Sequence, residues 1–276
     1  MKNPKILTVQ DISCYGQCST TVALPILSAF GYETAILPSA ILSTHTAGFK
    51  NFTVHDLSEE MPKVINHWIN EGIKYDVLYS AYLGEVRHID MVLQMREQLL
   101  NKDGLFLVDP VMGDNGKLYP AFNNDYVVAM RRLIKDADII IPNLTEAAFL
   151  ADMPYKEEYD EEYILSILKK LKSMGPKTVV LTGARYEKDS IGIAIYNDNG
   201  YQYYKHKLLP VSFHGTGDIY TSAFLGSYLS NKDILKASAT AASFVVKAIE
   251  NTMDDSDHRY GVKFEPILAK FVAENQ

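Results

Sequence analysis

The chain has 276 residues, and this length fits either one large α/β domain or two smaller domains. Its composition, with 47% hydrophobic and 22% charged residues, is that of an ordinary globular protein. The net charge of −7 argues against nucleic acid or an anionic membrane as a partner. No apolar stretch approaches the length of a membrane span, and the first residues enter a short strand without a long apolar signal segment, so we expect a cytoplasmic protein.

Short apolar runs alternate with amphipathic segments along most of the chain. The predicted strands are Ile6–Val9, Thr34–Pro38, Val77–Ala81, Leu105–Val108, Ile139–Ile141 and Thr178–Leu181. The helices predicted between them are Thr20–Phe30, Ser58–Glu71, Ile89–Leu100, Asp125–Lys135 and Glu161–Met174. This alternation predicts an α/β fold with a mainly parallel sheet covered on both faces.

The alternation changes in the last third of the chain. Ile191–Tyr196 and Tyr201–Lys207 flank the turn sequence Asn197–Gly200, which predicts a β-hairpin. The predicted helices after it are Ile219–Ser230, Asp233–Asn251 and Phe264–Glu274. Ligands of parallel sheets bind beyond the carboxyl ends of the strands, and the unusual polar residues of this chain cluster at those predicted ends.

The stretch from His214 to Asp218 reads H-G-T-G-D and leads directly into a predicted helix. Glycine permits backbone conformations that a Cβ would forbid, and the first turn of a helix presents free N–H groups to an anion. Asp218 would be ionised there and available as a base. The alternative is an ordinary loop in which this acid caps the helix.

Two common nucleotide signatures are absent from the sequence, namely G-x-G-x-x-G after the first strand and G-x-x-x-x-G-K-[ST] anywhere. Acids and an amide instead follow two neighbouring strands: Asp109 and Asp114 after one, Asn143 and Glu146 after the next. Mg²⁺ favours a few carboxylates together with waters and substrate phosphates. The sequence therefore favours a magnesium-assisted phosphate site, with helix capping by Asp109 and Glu146 as the alternative.

Together these motifs resemble the ribokinase-like superfamily and, within it, the pyridoxal kinase family, and the resemblance covers nearly the full length of the chain. The motifs that carry the resemblance are G-T-G-D at Gly215–Asp218, D-P-V-x-G-D at Asp109–Asp114, P-N-x-x-E at Pro142–Glu146, and two shorter stretches at Leu42–Thr46 and Ser80–Gly84. The resemblance implies a single ribokinase-like kinase domain over residues 1–276. Its fold would be a three-layer α/β/α sandwich with a central, mostly parallel sheet and a β-hairpin late in the chain.

The resemblance implies ATP-dependent phosphorylation of the 5′-hydroxymethyl group of vitamin B6 compounds (pyridoxal, pyridoxamine and pyridoxine). Asp218 would be the base that takes the alcohol proton. The backbone N–H groups of Gly215, Thr216 and Gly217 would form an anion hole. The phosphoryl group is highly anionic while it is transferred, so positioning and charge stabilisation would supply most of the catalysis. The alcohol loses its proton late in the reaction, so an Asp with a near-normal pKa could serve as the base.

The remaining implied roles concern the nucleotide and the metal. Asp109, Asp114, Asn143 and Thr182 would bind ATP, and Glu146 together with Asp109 would hold Mg²⁺, with a monovalent cation such as K⁺ as a further candidate. The loop from Gly113 to Tyr119 resembles the family's flap over the active site. The resemblance also implies a homodimer.

Three residues would bind the alcohol substrate. By the resemblance Thr46 and Tyr82 contact the pyridine ring, and His45 is either a more distant contact or a structural histidine. Asp11 stands where many pyridoxal kinases carry a serine, and a carboxylate near the ring would favour a cationic partner, which predicts better use of pyridoxamine than of pyridoxal.

Other functions fit parts of this pattern. A hydroxymethylpyrimidine kinase of thiamine synthesis would share the fold, the motifs and the chemistry. A non-catalytic B6-binding protein would keep the fold without turnover, although the intact acids argue against it. A dinucleotide oxidoreductase would lack its glycine fingerprint here.

Overall fold

The computed structural model of the chain describes residues 4–46, 48–211, 213–255 and 259–275. These residues fall into two compact units. The first unit comprises Met1–Val64 and Leu209–Gln276, and the second comprises Ile65–Leu208. A single domain over residues 1–276 stays a prediction.

Strands and helices alternate along the chain as follows. The strands are β1 (Ile6–Ser13), β2 (Thr34–Leu42), β3 (Val54–Asp56), β4 (Tyr75–Ser80), β5 (Leu100–Val108), β6 (Gly113–Asp114), β7 (Lys117–Leu118), β8 (Ile139–Ile140), β9 (Thr178–Ala184), β10 (Ser190–Asn197) and β11 (Gly200–Lys207). The helices are α1 (Thr20–Ala29), α2 (Met61–Asn70), α3 (Val86–Gln98), α4 (Asn124–Ile134), α5 (Leu144–Ala151), α6 (Glu161–Ser173), α7 (Thr216–Asn231), α8 (Ile234–Thr252) and α9 (Glu265–Asn275).

The first unit is built on β1, whose apolar residues are buried on both faces of the strand. β2 pairs with β1 in parallel after the α1 crossover, and β3 then pairs antiparallel with β2. The register between β1 and β2 shifts between Gln10 and Ile12, at Asp11. α1 buries Val22 and Ile26 and packs on α7, which in turn packs on α8.

The second unit holds six strands in the order β11-β10-β9-β8-β5-β4. β4, β5, β8 and β9 pair with one another in parallel, whereas β10 pairs antiparallel with both β9 and β11. In the hairpin Asn197 pairs with Gly200, whose φ of +97° is a conformation that glycine adopts without strain. The parallel strands direct the segments after β5, β8 and β9 to one end of this sheet.

The α/β class, the mostly parallel pairing and the late hairpin are therefore confirmed. The boundaries differ where tertiary pairing extends a strand. β1 continues through Ser13 and β2 through Leu42, so Asp11 lies within β1 and not beyond the predicted strand Ile6–Val9. The helix α5 was not predicted, and the loop after β5 contains the short β6–β7 ribbon. Across the described residues, none of the helices combines the length and apolarity needed to cross a membrane.

Candidate active site

Gly215 leaves the first turn of α7 without a capping side chain. This glycine is the N-cap residue, with φ +83°, and a Cβ in its place would overlap the backbone carbonyl oxygen of Gln17. No side chain caps this end of the 16-residue helix. The free N–H groups of the first turn therefore remain available to an anionic ligand.

Asp218 is the third residue of α7, because the helix begins at Thr216 and not at the predicted Ile219. The alternative that Asp218 is the N-cap is wrong, since Gly215 occupies that position. Burial raises the pKa of Asp218 to about 7, the backbone N–H of Ser19 opposes the rise by donating to the carboxylate, and the negative charge of Asp11 adds to it. The carboxyl group is thus a stronger base than an ordinary aspartate.

Asp11 lies next to Asp218 in the first unit and is only 3% exposed. Its carboxylate accepts a hydrogen bond from Ser13 Oγ at 3.0 Å, and the Ser19 hydroxyl also favours its ionised form. Burial raises the pKa of Asp11, and these two hydroxyl donors oppose the rise. The structure thus brings together two of the acids selected from the sequence.

Ser19 was not identified from the sequence. Its backbone has φ 54° and ψ −127°, a conformation that is normally taken by glycine, and such strain costs about 1–3 kcal/mol. The local sequence does not predict this backbone conformation, because the turn between β1 and α1 imposes it. Cys18 precedes it, and burial, followed by the charges of Asp218 and Asp11, raises the pKa of this free thiol well above its usual range.

His45 is held in place by its surroundings. It is buried, its Nε2 lies 2.7 Å from the backbone oxygen of Arg259, and its ring packs edge-on against Phe49. Burial lowers the pKa of its imidazole. The neighbouring Thr46 is exposed, so the loop presents a hydroxyl to solvent beside a fixed ring.

The second unit contains a separate acidic cluster at the end of its parallel strands. Glu146 is 3% exposed and accepts the backbone N–H of Met112 at 3.1 Å and that of Asn143 at 2.9 Å. Burial, and then the negative charge of Asp109, raises the pKa of Glu146 well above its usual range. Asp109 is also buried, at 6% exposure.

Asn143 and Glu146 form a capping box at the start of α5. Asn143 Oδ1 accepts the N–H of Glu146 at 2.9 Å, while its Nδ2 donates to the Gly113 carbonyl at 2.9 Å. Thr145 Oγ1 accepts the N–H of Gly116 at 2.9 Å. The helix start is therefore also the anchor of the predicted flap, the loop from Gly113 to Tyr119.

The capping alternative thus holds for Glu146, whereas Asp109 caps no helix, because the next helix begins at Asn124. Two neighbouring buried carboxylates repel each other, and a divalent cation would relieve that repulsion. The described residues contain no group of three or more His, Cys, Asp or Glu side chains arranged for a metal. A pair of acids nevertheless suits Mg²⁺, which retains waters and takes phosphate oxygens as further ligands.

The other predicted site residues of the second unit lie outside the buried pair of Asp109 and Glu146. Thr182 lies beside Asn143 through a β-bridge, with its Oγ1 3.5 Å from the Pro142 carbonyl oxygen. Asp114 is exposed, and its Oδ1 accepts the N–H of Asn115 at 2.8 Å, so it does not join Asp109. Tyr82 is partly buried, with its ring 5.5 Å from that of Phe122.

Comparison with known proteins identifies the family. A family model described as phosphomethylpyrimidine kinase matches residues 27–263. The structure is similar to that of a Bacteroides thetaiotaomicron protein crystallised with pyridoxal, with a TM-score of 0.93 and 36% identity, covering 98% of this chain and 96% of the other. A pyridoxal kinase from Lactobacillus plantarum gives a TM-score of 0.91 at 35% identity, covering 99% and 98%. A pyridoxal kinase from Dictyostelium discoideum is 28% identical over 268 residues, covering 90% of this chain and 86% of the relative.

The fold and these relatives define a kinase with the ribokinase-like fold. The chain belongs to the phosphomethylpyrimidine kinase family. The similarity to pyridoxal kinases that the motifs indicated is confirmed.

We expect Gly215→Ala to destabilise the protein by at least about 2 kcal/mol, because it combines a strained positive φ with overlap at the Gln17 carbonyl. Gly217→Ala is the matched control, since a Cβ at Gly217 meets nothing within 4 Å. Urea unfolding of both variants checks this prediction. Equal stability of the two would contradict the close approach at Gly215.

We expect Asn143→Ala to cost more stability than Asp160→Ala. Both remove a helix N-cap worth about 1 kcal/mol, Asp160 being the N-cap of α6. Asn143 additionally donates to Gly113, so its loss should cost about 1 kcal/mol more and speed proteolysis between Gly113 and Tyr119. Equal costs in urea unfolding, with unchanged proteolysis, would show that Asn143 does not anchor the flap.

Proposed function

We propose that this kinase transfers the γ-phosphoryl group of ATP to the 5′-hydroxymethyl group of vitamin B6 compounds, namely pyridoxal, pyridoxamine and pyridoxine. The observation that carries the proposal is Asp218, a carboxylate with a pKa of about 7 in the uncapped first turn of α7. Support for the substrate comes from the relatives, one of which was crystallised with pyridoxal and two of which are pyridoxal kinases.

In this reaction Asp218 accepts the proton of the substrate hydroxyl group. The alcohol oxygen forms a bond to the γ-phosphorus, and the bond between that phosphorus and the bridging oxygen of ADP breaks. The backbone N–H groups of Gly215, Thr216 and Gly217 stabilise the negative charge of the transferring group. This part of the chemistry requires an uncapped helix start, which Gly215 supplies.

The acids of the second unit serve the nucleotide and its metal. Asp109 and Glu146 would hold Mg²⁺, and the bound metal would supply neutralisation of phosphate charge. Asn143, Thr182 and Asp114 bind the phosphates of ATP. A monovalent cation such as K⁺ and a homodimeric assembly complete the proposal, and both rest on the motif resemblance alone.

Three residues bind the alcohol substrate in this proposal. Thr46 donates a hydrogen bond to the pyridine ring, and Tyr82 packs against it. Asp11 favours a cationic substituent, because its carboxylate accepts the Ser13 hydroxyl and has acceptor sites beyond that one.

A hydroxymethylpyrimidine kinase is the second candidate function, and the family model favours it by its description. The two functions are separated by measuring ATP-dependent phosphorylation of pyridoxal, pyridoxamine, pyridoxine and hydroxymethylpyrimidine side by side. The B6 proposal expects the highest kcat/KM with a B6 compound. Preference for hydroxymethylpyrimidine would replace it with the second candidate.

Asp218→Asn should lower kcat by about 10²–10⁴-fold while B6 binding is retained, because only the proton acceptor is lost. Asp233→Asn is the control, since Asp233 caps α8 by accepting the N–H of Lys236. Steady-state kinetics and binding by calorimetry provide the measurement. Full turnover in Asp218→Asn would refute the base assignment, and binding without turnover in the wild type would favour a non-catalytic B6-binding protein.

The activity should depend on pH through Asp218. A base works in its ionised form, and the raised pKa means that this form is lost as the pH falls below about 7. We expect kcat/KM for the alcohol to fall about tenfold per pH unit below that value and to be flat above it. An acid limb near pH 4, the range of an ordinary aspartate, would contradict this assignment.

Asp11→Ser should lower the ratio of kcat/KM for pyridoxamine to that for pyridoxal by about tenfold, because the variant loses the partner of the substrate ammonium group. Kinetics with both compounds in the wild type and the variant measure the ratio. Ser13→Ala removes a donor to Asp11 but keeps the carboxylate, so its ratio should change less. An unchanged ratio in Asp11→Ser would exclude Asp11 from vitamer selection.

A further inference from the structure

Gln17 lies between two glycines that come from distant parts of the first unit. Its carbonyl oxygen occupies the space that a side chain on Gly215 would need, and its Cβ lies 2.8 Å from the position that a Cβ on Gly261 would take. Both glycines have a positive φ, +83° and +121°, which suits a residue without a Cβ. Gln17 itself is only 3% exposed. It therefore contacts the start of α7 on one side and the segment before α9 on the other.

Two hydrogen bonds join Gln17 to this late segment. Its backbone N–H donates to the carbonyl oxygen of Tyr260 at 2.7 Å. Its side-chain Nε2 donates to Oε1 of Glu265, the first residue of α9. A buried amide that loses its partner costs stability, so both bonds favour the observed position of Gln17.

The neighbouring peptide groups are fixed as well. The hydroxyl oxygen of Thr21, in α1, lies 2.9 Å from the carbonyl oxygen of Gly16 and 2.8 Å from that of Cys18. The carbonyl groups on either side of Gln17 are therefore held at α1, while the Gln17 carbonyl lies against Gly215.

We propose that Glu265 is a positioning residue for the anion hole. It holds the side chain of Gln17, the Gln17 carbonyl oxygen rests on Gly215, and Gly215 fixes the start of α7. The inference rests on the proposed function, in which the N–H groups of the first turn of α7 stabilise the transferring phosphoryl group.

This contact should affect the rate of the reaction more than the binding of the alcohol. Donors stabilise a transition state when they are already placed where charge develops, and a small displacement weakens that effect. A shift of Gly215 would move the first-turn N–H groups. Loss of the Glu265 contact should therefore lower kcat and leave KM for the alcohol nearly unchanged.

The test compares Glu265→Ala with Glu265→Gln, using pyridoxal and ATP with Mg²⁺. We expect Glu265→Ala to lower kcat about tenfold or more, with KM for pyridoxal within about twofold of the wild type. Glu265→Gln keeps an oxygen that accepts from Gln17 Nε2, so it should restore most of kcat. An equally low kcat in Glu265→Gln would assign the effect to the charge of Glu265 and overturn the proposal.

Glu274→Ala is the matched control. Glu274 also lies on α9, but it accepts from Lys247 Nζ at 3.2 Å, near the other end of the helix. It should leave kcat unchanged. An equal loss of kcat in Glu274→Ala and Glu265→Ala would assign the effect to general docking of α9 and overturn the proposal.

Gln17→Met tests the same contact from its other side. Methionine fills similar space without an N–H donor, so kcat should fall as it does in Glu265→Ala, and this variant decides the test if Glu265→Ala does not fold. In a Gln17→Met background, Glu265→Ala should cause no further fall. A wild-type kcat in Gln17→Met, or independent effects of the two substitutions, would overturn the proposal.

NMR reports the position of Gly215 without substrate. His214-Gly215 is the only His-Gly pair in the sequence, so ¹³C-carbonyl histidine combined with ¹⁵N-glycine identifies the Gly215 amide. Its resonance should move in Glu265→Ala, return in Glu265→Gln and stay in place in Glu274→Ala. An unmoved resonance in Glu265→Ala would overturn the proposal. A wild type that phosphorylates none of the B6 compounds would refute the proposed function and leave this result readable.

Discussion

The close approach of Gly215 to the Gln17 carbonyl is the constraint on which the first unit depends. It places a residue without a Cβ at the N-cap of α7, where no side chain can fill the space before the helix. Serine, threonine or asparagine would normally occupy an N-cap and satisfy one of the free N–H groups. Because Gly215 cannot do so, the positive end of a long helix is left for a ligand, and Asp218 stands in the same turn.

In the second unit, two side chains both cap a helix and hold the loop that follows β5. Asn143 and Glu146 satisfy the first N–H groups of α5, and the same side chains bind the backbone at Met112 and Gly113. The helix start and the base of the flap therefore depend on one pair of side chains. Glu146 has this structural role and also lies beside Asp109. A change in its charge would therefore alter the hydrogen bonds that hold the flap as well as the affinity for a metal.

The sequence was sufficient where a pattern is local. Alternating apolar runs predicted the strands, and the Asn197–Gly200 turn predicted the hairpin. The anion site at the glycines beside Asp218 stays a prediction. The sequence did not predict features that depend on strand pairing or packing between distant segments. Nothing in the residues around Asp11 shows that β2 extends the pairing past it, and nothing local to Ser19 predicts a glycine-like conformation. Periodicity reports burial along an element, whereas these features depend on segments far apart in the chain.

The raised pKa of Asp218 follows from the surroundings of its carboxyl group. An exposed aspartate would be ionised at neutral pH but would be a weak proton acceptor. Burial strengthens Asp218 as a base until its pKa is close to neutral, and the Ser19 N–H limits the rise. A pKa near the working pH is the compromise that general-base catalysis favours, because the base is both substantially ionised and strong enough to hold the proton.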